Sequence, residues 1–161
     1  MNYYDKIATG YEELYEEEQL EKIRLIKKYL KIKKSDKLLD VGCGTGLTTQ
    51  YWKCIRYGID PSKKLLERAR ERDKITYKQA QAEKIPFKNN FFDVVISITA
   101  IQNFTNIEKG LEEIKRVGKN KFVLTFLKKS PKRSKIDKLI KKYFKIKKIM
   151  EEEKDLIYFV S

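Results

Sequence analysis

The sequence predicts an α/β fold built on a mostly parallel sheet of seven strands that ends in an antiparallel hairpin. Strand-like apolar segments alternate with helical patterns, which is typical of parallel sheets whose connections are helices. The segment "FDVVISI" is apolar throughout, as expected of a central strand with both faces buried. Near the carboxyl end, "FKIKKIM" and "DLIYFV" are separated by a short acidic turn, too short for a crossover, so these strands should pair antiparallel.

The first half of the chain is predicted to contain three strands and three helices. Apolar residues between Leu20 and Leu30 recur at helical spacing and predict a helix over about 16–32. The segments "KLLDVG", "IRYGID" and "ITYKQ" are predicted as the first three strands. A short helix is predicted at "GLTTQYWK", and another begins at Pro61 with Asp60 as its cap.

The second half repeats this alternation after the loop "AEKIPFKNN". The strand "FDVVISI" is followed by a helix, by the strand "KFVLTFL" and by a further helix before the closing hairpin. The two helices are predicted from apolar residues at helical spacing, which are Ile107, Leu111 and Ile114 in one and Ile136, Leu139, Ile140 and Tyr143 in the other. Because we find no internal repeat or linker, residues 1–161 are expected to form a single domain.

Composition excludes several classes of protein. No apolar run approaches the roughly 18 residues of a membrane helix, and the amino end lacks signal-peptide character, so a cytoplasmic protein without membrane contact is expected. Cys43 and Cys54 are too few and too irregularly spaced for a disulfide framework or a zinc site. The chain has no histidine, which removes the base of histidine-dependent triads, and no metal site is expected.

Positive charge is concentrated in one segment. The chain carries 37 Lys+Arg against 23 Asp+Glu, a formal net charge of +14. Residues 128–148, here called the basic segment, hold eleven Lys or Arg and one acid, Asp137, and contribute 11 − 1 = +10. A basic surface favours a polyanionic partner, RNA above all, although a composition rich in lysine and glutamate is also typical of growth at high temperature.

The stretch "LLDVGCGTGLTT" places Gly42, Gly44 and Gly46 at alternate positions after the first strand. The dinucleotide fingerprint G-x-G-x-x-G fails because Leu47 stands where its third glycine belongs, and no Gly-Lys-Ser/Thr completes a phosphate-binding loop. Asp40, two residues before the first glycine, would repel a pyrophosphate. The loop therefore favours a positively charged ligand without phosphate, and S-adenosylmethionine, with its sulfonium and ammonium groups, fits both observations.

A second acid follows the second strand. Asp60 lies eighteen residues after Gly42, where a carboxylate can accept hydrogen bonds from both ribose hydroxyls of a nucleoside. The alternative is a tight glycine turn followed by an ordinary helix cap at Asp60. Two acids at successive strand ends, with three glycines between them, favour the nucleoside site.

The chain resembles the class I S-adenosylmethionine-dependent methyltransferases, of the type found in ubiquinone and menaquinone biosynthesis, in the successive segments "LLDVGCGTG", "YGIDPS", "AEKIPFKNNFFDVVIS" and "LEEIKRV". The resemblance spans about Tyr3 to Phe126 and implies a Rossmann-like methyltransferase sandwich with S-adenosylmethionine as cofactor. It implies a cofactor site made of Tyr11, Asp40, Gly42, Cys43, Gly44, Gly46, Asp60, Pro61, Gln81, Ala82, Glu83, Ser97 and Thr99. Gln81 stands where many relatives have Asp, and helix packing is the alternative role for Tyr11.

The stretch "IPFKNNFFDVVISITAIQNF" is similar to ribosomal-RNA guanine-N7 methyltransferases and to tRNA wobble-uridine carboxymethyl methyltransferases. Both groups work with a small zinc-ribbon activator protein. The resemblance implies RNA (tRNA or rRNA) as the acceptor, facing Tyr4, Gln102, Asn103 and Phe104; the alternatives are helix packing for Tyr4 and a core position for Phe104. No catalytic residue is assigned, because in-line transfer of an activated methyl group needs mainly proximity and orientation.

Two other functions are compatible with the sequence. A small-molecule acceptor, such as a quinone precursor, would use the same donor but leaves the basic segment unexplained. A non-catalytic cofactor-binding subunit that stabilises a partner is the other hypothesis. The resemblance favours an S-adenosylmethionine-dependent methyltransferase that modifies RNA together with a small zinc-ribbon activator.

Overall fold

The computed structural model describes residues 3–69 and 74–161, without the side chains of residues 3–9 and 11. The predicted roles of Tyr4 and Tyr11 depend on those side chains and therefore lie outside the described part of the chain. None of the helices described combines the length and the apolar character that a bilayer span requires.

The chain divides into two compact units, Met1–Lys31 and Ile32–Ser161. The first unit contains helix α1 (Tyr3–Lys27), which begins well before the predicted helix over about 16–32 and ends earlier. Residues 12–18 of α1 include five glutamates, and glutamate is a good helix former, so the helix extends beyond the residues from which it was predicted.

The second unit contains one sheet of seven strands, with the spatial order β3-β2-β1-β4-β5-β7-β6. The first five strands along the chain run parallel, whereas β7 pairs antiparallel with both β5 and β6. The predicted parallel sheet with its antiparallel carboxyl-terminal hairpin is thus confirmed. The strands are β1 (Lys37–Val41), β2 (Ile55–Asp60), β3 (Ile75–Gln79), β4 (Val94–Ser97), β5 (Phe122–Leu127), β6 (Ile146–Glu151) and β7 (Asp155–Val160).

Three α-helices and one short 3-10 turn connect these strands, namely α2 (Lys63–Ala69), α3 (Ile107–Val117), α4 (Arg133–Tyr143) and the turn Ile101–Asn103. The predicted apolar stripes of α3 and α4 pack on one face of the sheet, where Leu111, Ile114, Ile136 and Ile140 are fully buried. All four residues of β4 are also buried, which confirms "FDVVISI" as a central strand.

The helix predicted at "GLTTQYWK" is wrong, because residues 46–51 form a series of turns. The amides of Thr49 and Gln50 both donate to the carbonyl oxygen of Gly46. The hydroxyls of Thr48 and Thr49 bind the carboxylate of Asp40. Threonine is a poor helix former, and these side-chain bonds compete with helical geometry.

The helix predicted from Pro61 also begins later, at Lys63. Its first turn is capped by Ser62, whose hydroxyl accepts a hydrogen bond from the amide of Leu65 (3.3 Å). The carboxylate of Asp60 instead accepts from the amides of Gly44 and Ser62. Asp60 is therefore part of the edge at which β1, β2 and β4 all end, which is where parallel sheets bind ligands.

Candidate functional site

The glycine loop lies against the segment that follows β4. Gly42 has φ +78°, and a Cβ built on it would lie 2.7 Å from the Cβ of Ala100, so only glycine fits at this position. The amides of Gly42 and Cys43 both donate to the carbonyl oxygen of Ile59, at 2.9 and 3.0 Å. The loop is thus tied to β2 on one side and in contact with Ala100 on the other.

Cys43 contributes only its backbone to the open side of the loop. Its side chain is buried, and its Sγ lies 2.8 Å from a Cβ built on Gly58 of β2. Burial raises the pKa of the Cys43 thiol well above its ordinary range, with the nearby charges of Asp40 and Asp60 acting in the same direction. The thiol therefore stays protonated and serves as a packing group.

Asp40 is a fully buried carboxylate near the end of β1. Its Oδ2 accepts hydrogen bonds from the hydroxyls of Thr48 (2.7 Å) and Thr49 (2.8 Å), while its Oδ1 is buried with no hydrogen-bond partner among the described residues. Burial raises the pKa of Asp40 to about 6, opposed by the two hydroxyls and reinforced by Asp60. An acceptor atom is therefore left for a donor or cation on a ligand.

Asp60 ends β2 and is 7% exposed. Its Oδ2 accepts from the amide of Gly44 (2.9 Å) and its Oδ1 from the amide of Ser62 (2.8 Å). Each carboxylate oxygen can accept more than one hydrogen bond, so both retain capacity for the hydroxyls of a ribose. The neighbouring Pro61 is exposed, and its carbonyl oxygen accepts from the side-chain amide of Gln79.

The segment 80–87 forms the next wall of this edge. Gln81 is exposed, whereas Ala82 belongs to the hydrophobic core. The carboxylate of Glu83 accepts a hydrogen bond from the amide of Asn106, the residue that caps α3, at 2.8 Å. Glu83 therefore joins this segment to α3.

Two residues that were not predicted as site residues hold the same segment from α3. The guanidinium of Arg116 donates to the carbonyl oxygens of Ile85 (2.9 Å) and Phe87 (2.8 Å), and Glu113 accepts from the amide of Ile85. The hydrogen bond from Arg116 lowers the pKa of the Glu113 carboxyl against the opposing effect of its burial. Both residues lie in "LEEIKRV", where the sequence does not distinguish the buried Glu113 from its neighbour Glu112.

The predicted residues Ser97 and Thr99 are both tied to neighbouring strands. The hydroxyl of buried Ser97 donates to the carbonyl oxygen of Val41 at the end of β1 (2.9 Å). The hydroxyl of Thr99 donates to Asp155 (2.6 Å), and the Thr99 amide donates to the hydroxyl of Thr125 (2.7 Å). Asp155 and Thr125 were not predicted, because each is far from Thr99 in the sequence.

The residues predicted to face an acceptor have three different environments. Phe104 is 9% exposed and packs in the core, where its ring lies 2.5 Å from a Cβ built on Gly110, so its prediction as a base-stacking surface is wrong. Gln102 is buried, and its Nε2 donates to the carbonyl oxygen of Thr99 (2.9 Å). Asn103 is exposed. An apolar ring at this position is stabilised more by core burial than by a solvent-exposed stacking role.

The donor set fits S-adenosylmethionine better than a nucleotide phosphate. Asp40 and Asp60 are two neighbouring carboxylates, which repel a pyrophosphate and attract a sulfonium or ammonium group. The Oδ1 of Asp40, which has no hydrogen-bond partner among the described residues, is an acceptor that such a ligand would need. Among the described residues, no group of three or more acidic or cysteine side chains could hold a metal ion.

The family model for the methyltransferase domain matches residues 39–126, more than half of the chain. The chain belongs to the methyltransferase domain family. Within it, the fold is that of solved S-adenosylmethionine-dependent methyltransferases.

Two curated relatives are about one-third identical to this methyltransferase domain over the residues that align. The uncharacterized protein MJ1252 of Methanocaldococcus jannaschii is 33% identical over 129 residues, covering 77% of this chain and 49% of that protein. The 2-phytyl-1,4-naphtoquinone methyltransferase of Trichormus variabilis is 32% identical over 131 residues, covering 71% and 57% respectively. The chain therefore spans about half the length of the curated relatives it matches.

Solved structures share the fold at lower identity. A SAM dependent methyltransferase from Aquifex aeolicus has a TM-score of 0.76 at 19% identity, covering 86% of this chain and 88% of the other. A chain from the complex between the Haloferax volcanii Trm112 methyltransferase activator and a methyltransferase has a TM-score of 0.80 at 14% identity, covering 95% and 94%. These likenesses concern the fold.

Proposed function

We propose that this chain transfers the methyl group of S-adenosylmethionine to RNA, with a small zinc-ribbon activator protein as its partner. The main support for RNA as the methyl acceptor is a contact between the basic segment and the turn after β4. The ammonium of Lys132 donates to the carbonyl oxygen of Gln102 at 3.1 Å. The basic segment thus contacts the turn that holds residues predicted to face the acceptor.

The donor side of the proposal rests on Asp40 and Asp60. S-adenosylmethionine supplies a methyl group that its sulfonium has already activated, so the chain needs mainly to hold and orient the two reactants. The carboxylate of Asp40 would hold positive charge, and Asp60 would accept from the ribose hydroxyls. The absence of histidine from the sequence is compatible with this chemistry, because an acceptor nitrogen with a free lone pair needs no base.

Charge on the basic segment remains available to a polyanion. Within the described residues, Lys141 pairs with Asp137 (3.0 Å), Lys142 with Glu108 (2.9 Å) and Lys128 with Glu151 (3.5 Å). Other lysines of the segment are exposed and make no ion pair with a described residue, among them Lys129, Lys135 and Lys138. Exposed cations of this kind suit phosphates, whose neutralisation drives nucleic-acid binding.

The proposed partner has support from the fold alone. A chain from a complex that contains a methyltransferase activator matches 95% of this chain with a TM-score of 0.80. Among the described residues, the second unit has no separate substrate-binding domain, since its elements belong to the sheet and the helices that connect it. An activator would supply acceptor contacts in addition to those proposed for the basic segment.

Methyl transfer to RNA is tested with S-adenosylmethionine labelled on its methyl group. The purified chain is incubated with total RNA, with and without a cell extract that supplies a partner, and the Asp40→Asn variant with extract measures the background. We expect label that ribonuclease releases and protease does not, increased by the extract above that background. Label that appears only in small metabolites would overturn the RNA proposal.

The role of the basic segment is tested by the salt dependence of RNA binding. A triple variant with Lys129→Gln, Lys135→Gln and Lys138→Gln is compared with Lys33→Gln, Lys34→Gln and Lys53→Gln, three exposed lysines that precede the amino ends of β1 and β2. In the first variant, the slope of log K against log salt should fall by about 0.7–0.9 for each phosphate that a lysine no longer neutralises. The second variant should keep the wild-type slope. Equal slopes in both variants would show that Lys129, Lys135 and Lys138 do not contact RNA phosphates.

A small-molecule acceptor is the second candidate. The relative from Trichormus variabilis, 32% identical, is a 2-phytyl-1,4-naphtoquinone methyltransferase. The same labelling experiment distinguishes the two candidates, because a quinone-type product partitions into organic solvent and resists ribonuclease.

A further inference from the structure

A buried carboxylate that the donor site does not use lies at the opposite side of the same sheet edge. Asp155 is the first residue of β7, in the carboxyl-terminal hairpin, and it is fully buried. In the register of the sheet it faces Leu127, the last residue of β5. The family model ends at residue 126, before this hairpin. The match to the family model therefore does not include Asp155.

The Oδ2 atom of Asp155 joins two threonines from different parts of the sheet edge. It accepts hydrogen bonds from the hydroxyl of Thr99 (2.6 Å) and from the hydroxyl of buried Thr125 on β5 (2.8 Å). Because the Thr125 hydroxyl donates its proton to Asp155, its oxygen can accept from the amide of Thr99, at 2.7 Å. Both the amide and the hydroxyl of Thr99 are thus directed by one carboxylate.

This network holds Thr99 in an unfavourable backbone conformation. Thr99 has φ +55°, in the left-handed region that β-branched residues rarely adopt. Such a conformation costs about 1–3 kcal/mol and persists only where surrounding contacts impose it. The hydrogen bonds that Thr99 donates from its amide and from its hydroxyl are contacts of that kind.

The residue after Thr99 forms the contact with the glycine loop. Ala100 places its Cβ 2.7 Å from the position that a Cβ on Gly42 would take, so a displacement at 99–100 changes the wall of the loop. The carbonyl oxygen of Thr99 also accepts from Gln102, which continues the same turn. A continuous set of contacts therefore runs from Asp155 through Thr99 and Ala100 to Gly42.

We infer that Asp155 is a positioning residue for the cofactor site: through Thr99 it fixes Ala100 against Gly42 and so preorganises the glycine loop for S-adenosylmethionine. The inference rests on the proposed methyl donor. Without the carboxylate, Thr99 relaxes toward an ordinary backbone conformation, and the competent form of the loop becomes a minor population. If that population falls to about one tenth, apparent affinity falls about ten-fold.

The test measures S-adenosylmethionine affinity by calorimetry, well below the melting temperature of each variant. Asp155→Ala removes the oxygen that accepts from both hydroxyls and should weaken binding about ten-fold. Asp155→Asn keeps one oxygen for the two hydroxyls and should stay within about three-fold of the wild type. Tyr158→Phe is the matched control, because it lies on the same strand and removes a hydrogen bond to Asp137 on α4, away from the glycine loop. Its affinity should be unchanged.

Two further measurements keep the inference open to refutation. If Asp155→Ala does not fold, Thr125→Val removes the hydroxyl at nearly constant volume and should weaken binding about three- to ten-fold. Hydrogen exchange in the ligand-free protein should show faster exchange at the amides of residues 99–100 in Asp155→Ala and in Thr125→Val. Unchanged affinity or unchanged exchange in a folded Asp155→Ala or Thr125→Val variant would overturn the positioning role and show that Asp155 only stabilises the fold.

The proposed donor and the positioning role fail in different ways. If the wild type does not bind S-adenosylmethionine, the proposed donor is wrong, and the exchange rates at 99–100 still decide whether Asp155 holds this turn. If the wild type binds and Asp155→Ala binds equally well, the donor stands and the positioning role is wrong.

Discussion

Two buried carboxylates at one sheet edge use the same contacts for different purposes. Asp40 and Asp155 are both fully buried, and each accepts hydrogen bonds from two threonine hydroxyls through its Oδ2. The threonines that bind Asp40 follow it by eight and nine residues, whereas those that bind Asp155 come from a loop and a strand 56 and 30 residues away. Asp40 therefore organises a local loop, and Asp155 joins distant strands.

The difference shows that Asp40 serves ligand binding, whereas Asp155 serves the local stability of the backbone beside it. The Oδ1 of Asp40 has no hydrogen-bond partner among the described residues, and burial raises the pKa of Asp40 to about 6. Ionisation of Asp40 thus lowers the stability of the ligand-free protein, and it strengthens the binding of a cationic ligand. Asp155 instead imposes the backbone conformation of Thr99. One carboxylate is available to ligand, and the other supports the wall beside it.

The largest effect is expected for Asp40→Asn. The variant keeps an acceptor for Thr48 and Thr49 but lacks the charge that a sulfonium or ammonium requires, so S-adenosylmethionine affinity at pH 7.5 should fall about 100-fold. Unfolding at the same pH should become less favourable by about 3 kcal/mol, because the folded protein no longer has to ionise a carboxyl whose pKa burial raises to about 6. Calorimetry and denaturant titration measure the two quantities. A variant that binds like the wild type would show that Asp40 has no role in holding the donor.

Gly42→Ala is expected to have the next largest effect, on stability. The new Cβ would lie 2.7 Å from that of Ala100 on a backbone with φ +78°, so the free energy of unfolding should fall by about 2 kcal/mol. Adding Ala100→Gly to this variant removes the clash and leaves the backbone strain, and it should recover part of the stability. No recovery in the double variant, measured by denaturant unfolding, would contradict a contact between the two sides of the site.

A smaller effect is expected from pH. A bound cation favours the ionised form of Asp40. In the ligand-free protein the pKa of Asp40 is about 6, so below that pH ligand binding is coupled to the release of a proton. Affinity for S-adenosylmethionine should therefore fall as pH drops through 6, by about ten-fold at pH 5 relative to pH 8. The ligand-free protein should show the opposite trend from this group, which stabilises the fold at low pH and ceases to do so as pH rises through about 6. Titrations at both pH values in Asp40→Asn should differ little.

The strands were predictable because parallel sheets impose apolar segments of recognisable length. The common position of Asp40, the three glycines and Asp60 at one sheet edge was also predictable, since these residues lie within 21 consecutive positions and their spacing reflects one loop. The helix predicted at "GLTTQYWK" is wrong because the hydroxyls of Thr48 and Thr49 bind Asp40, a choice that apolar periodicity does not reveal.

The contacts of the segment after β4, which holds Thr99 and Phe104, were less predictable from the sequence. The partners of Thr99 are far from it along the chain, so no local pattern connects them. Asp155 adjoins the acidic turn before β7 and resembles a turn residue in the sequence. Phe104 follows a polar pair and resembles an exposed aromatic, yet α3 brings Gly110 against its ring and buries it. Such choices depend on tertiary packing.

The central claim is that the carboxylate-lined glycine loop binds a cationic nucleoside without phosphate. The most direct measurement is a parallel calorimetric titration of the wild-type chain with S-adenosylmethionine and with NAD at pH 7.5. We expect S-adenosylmethionine to bind with a dissociation constant on the order of micromolar, about −8 kcal/mol, and NAD not to bind. Tight binding of NAD, or no binding of S-adenosylmethionine, would contradict the account.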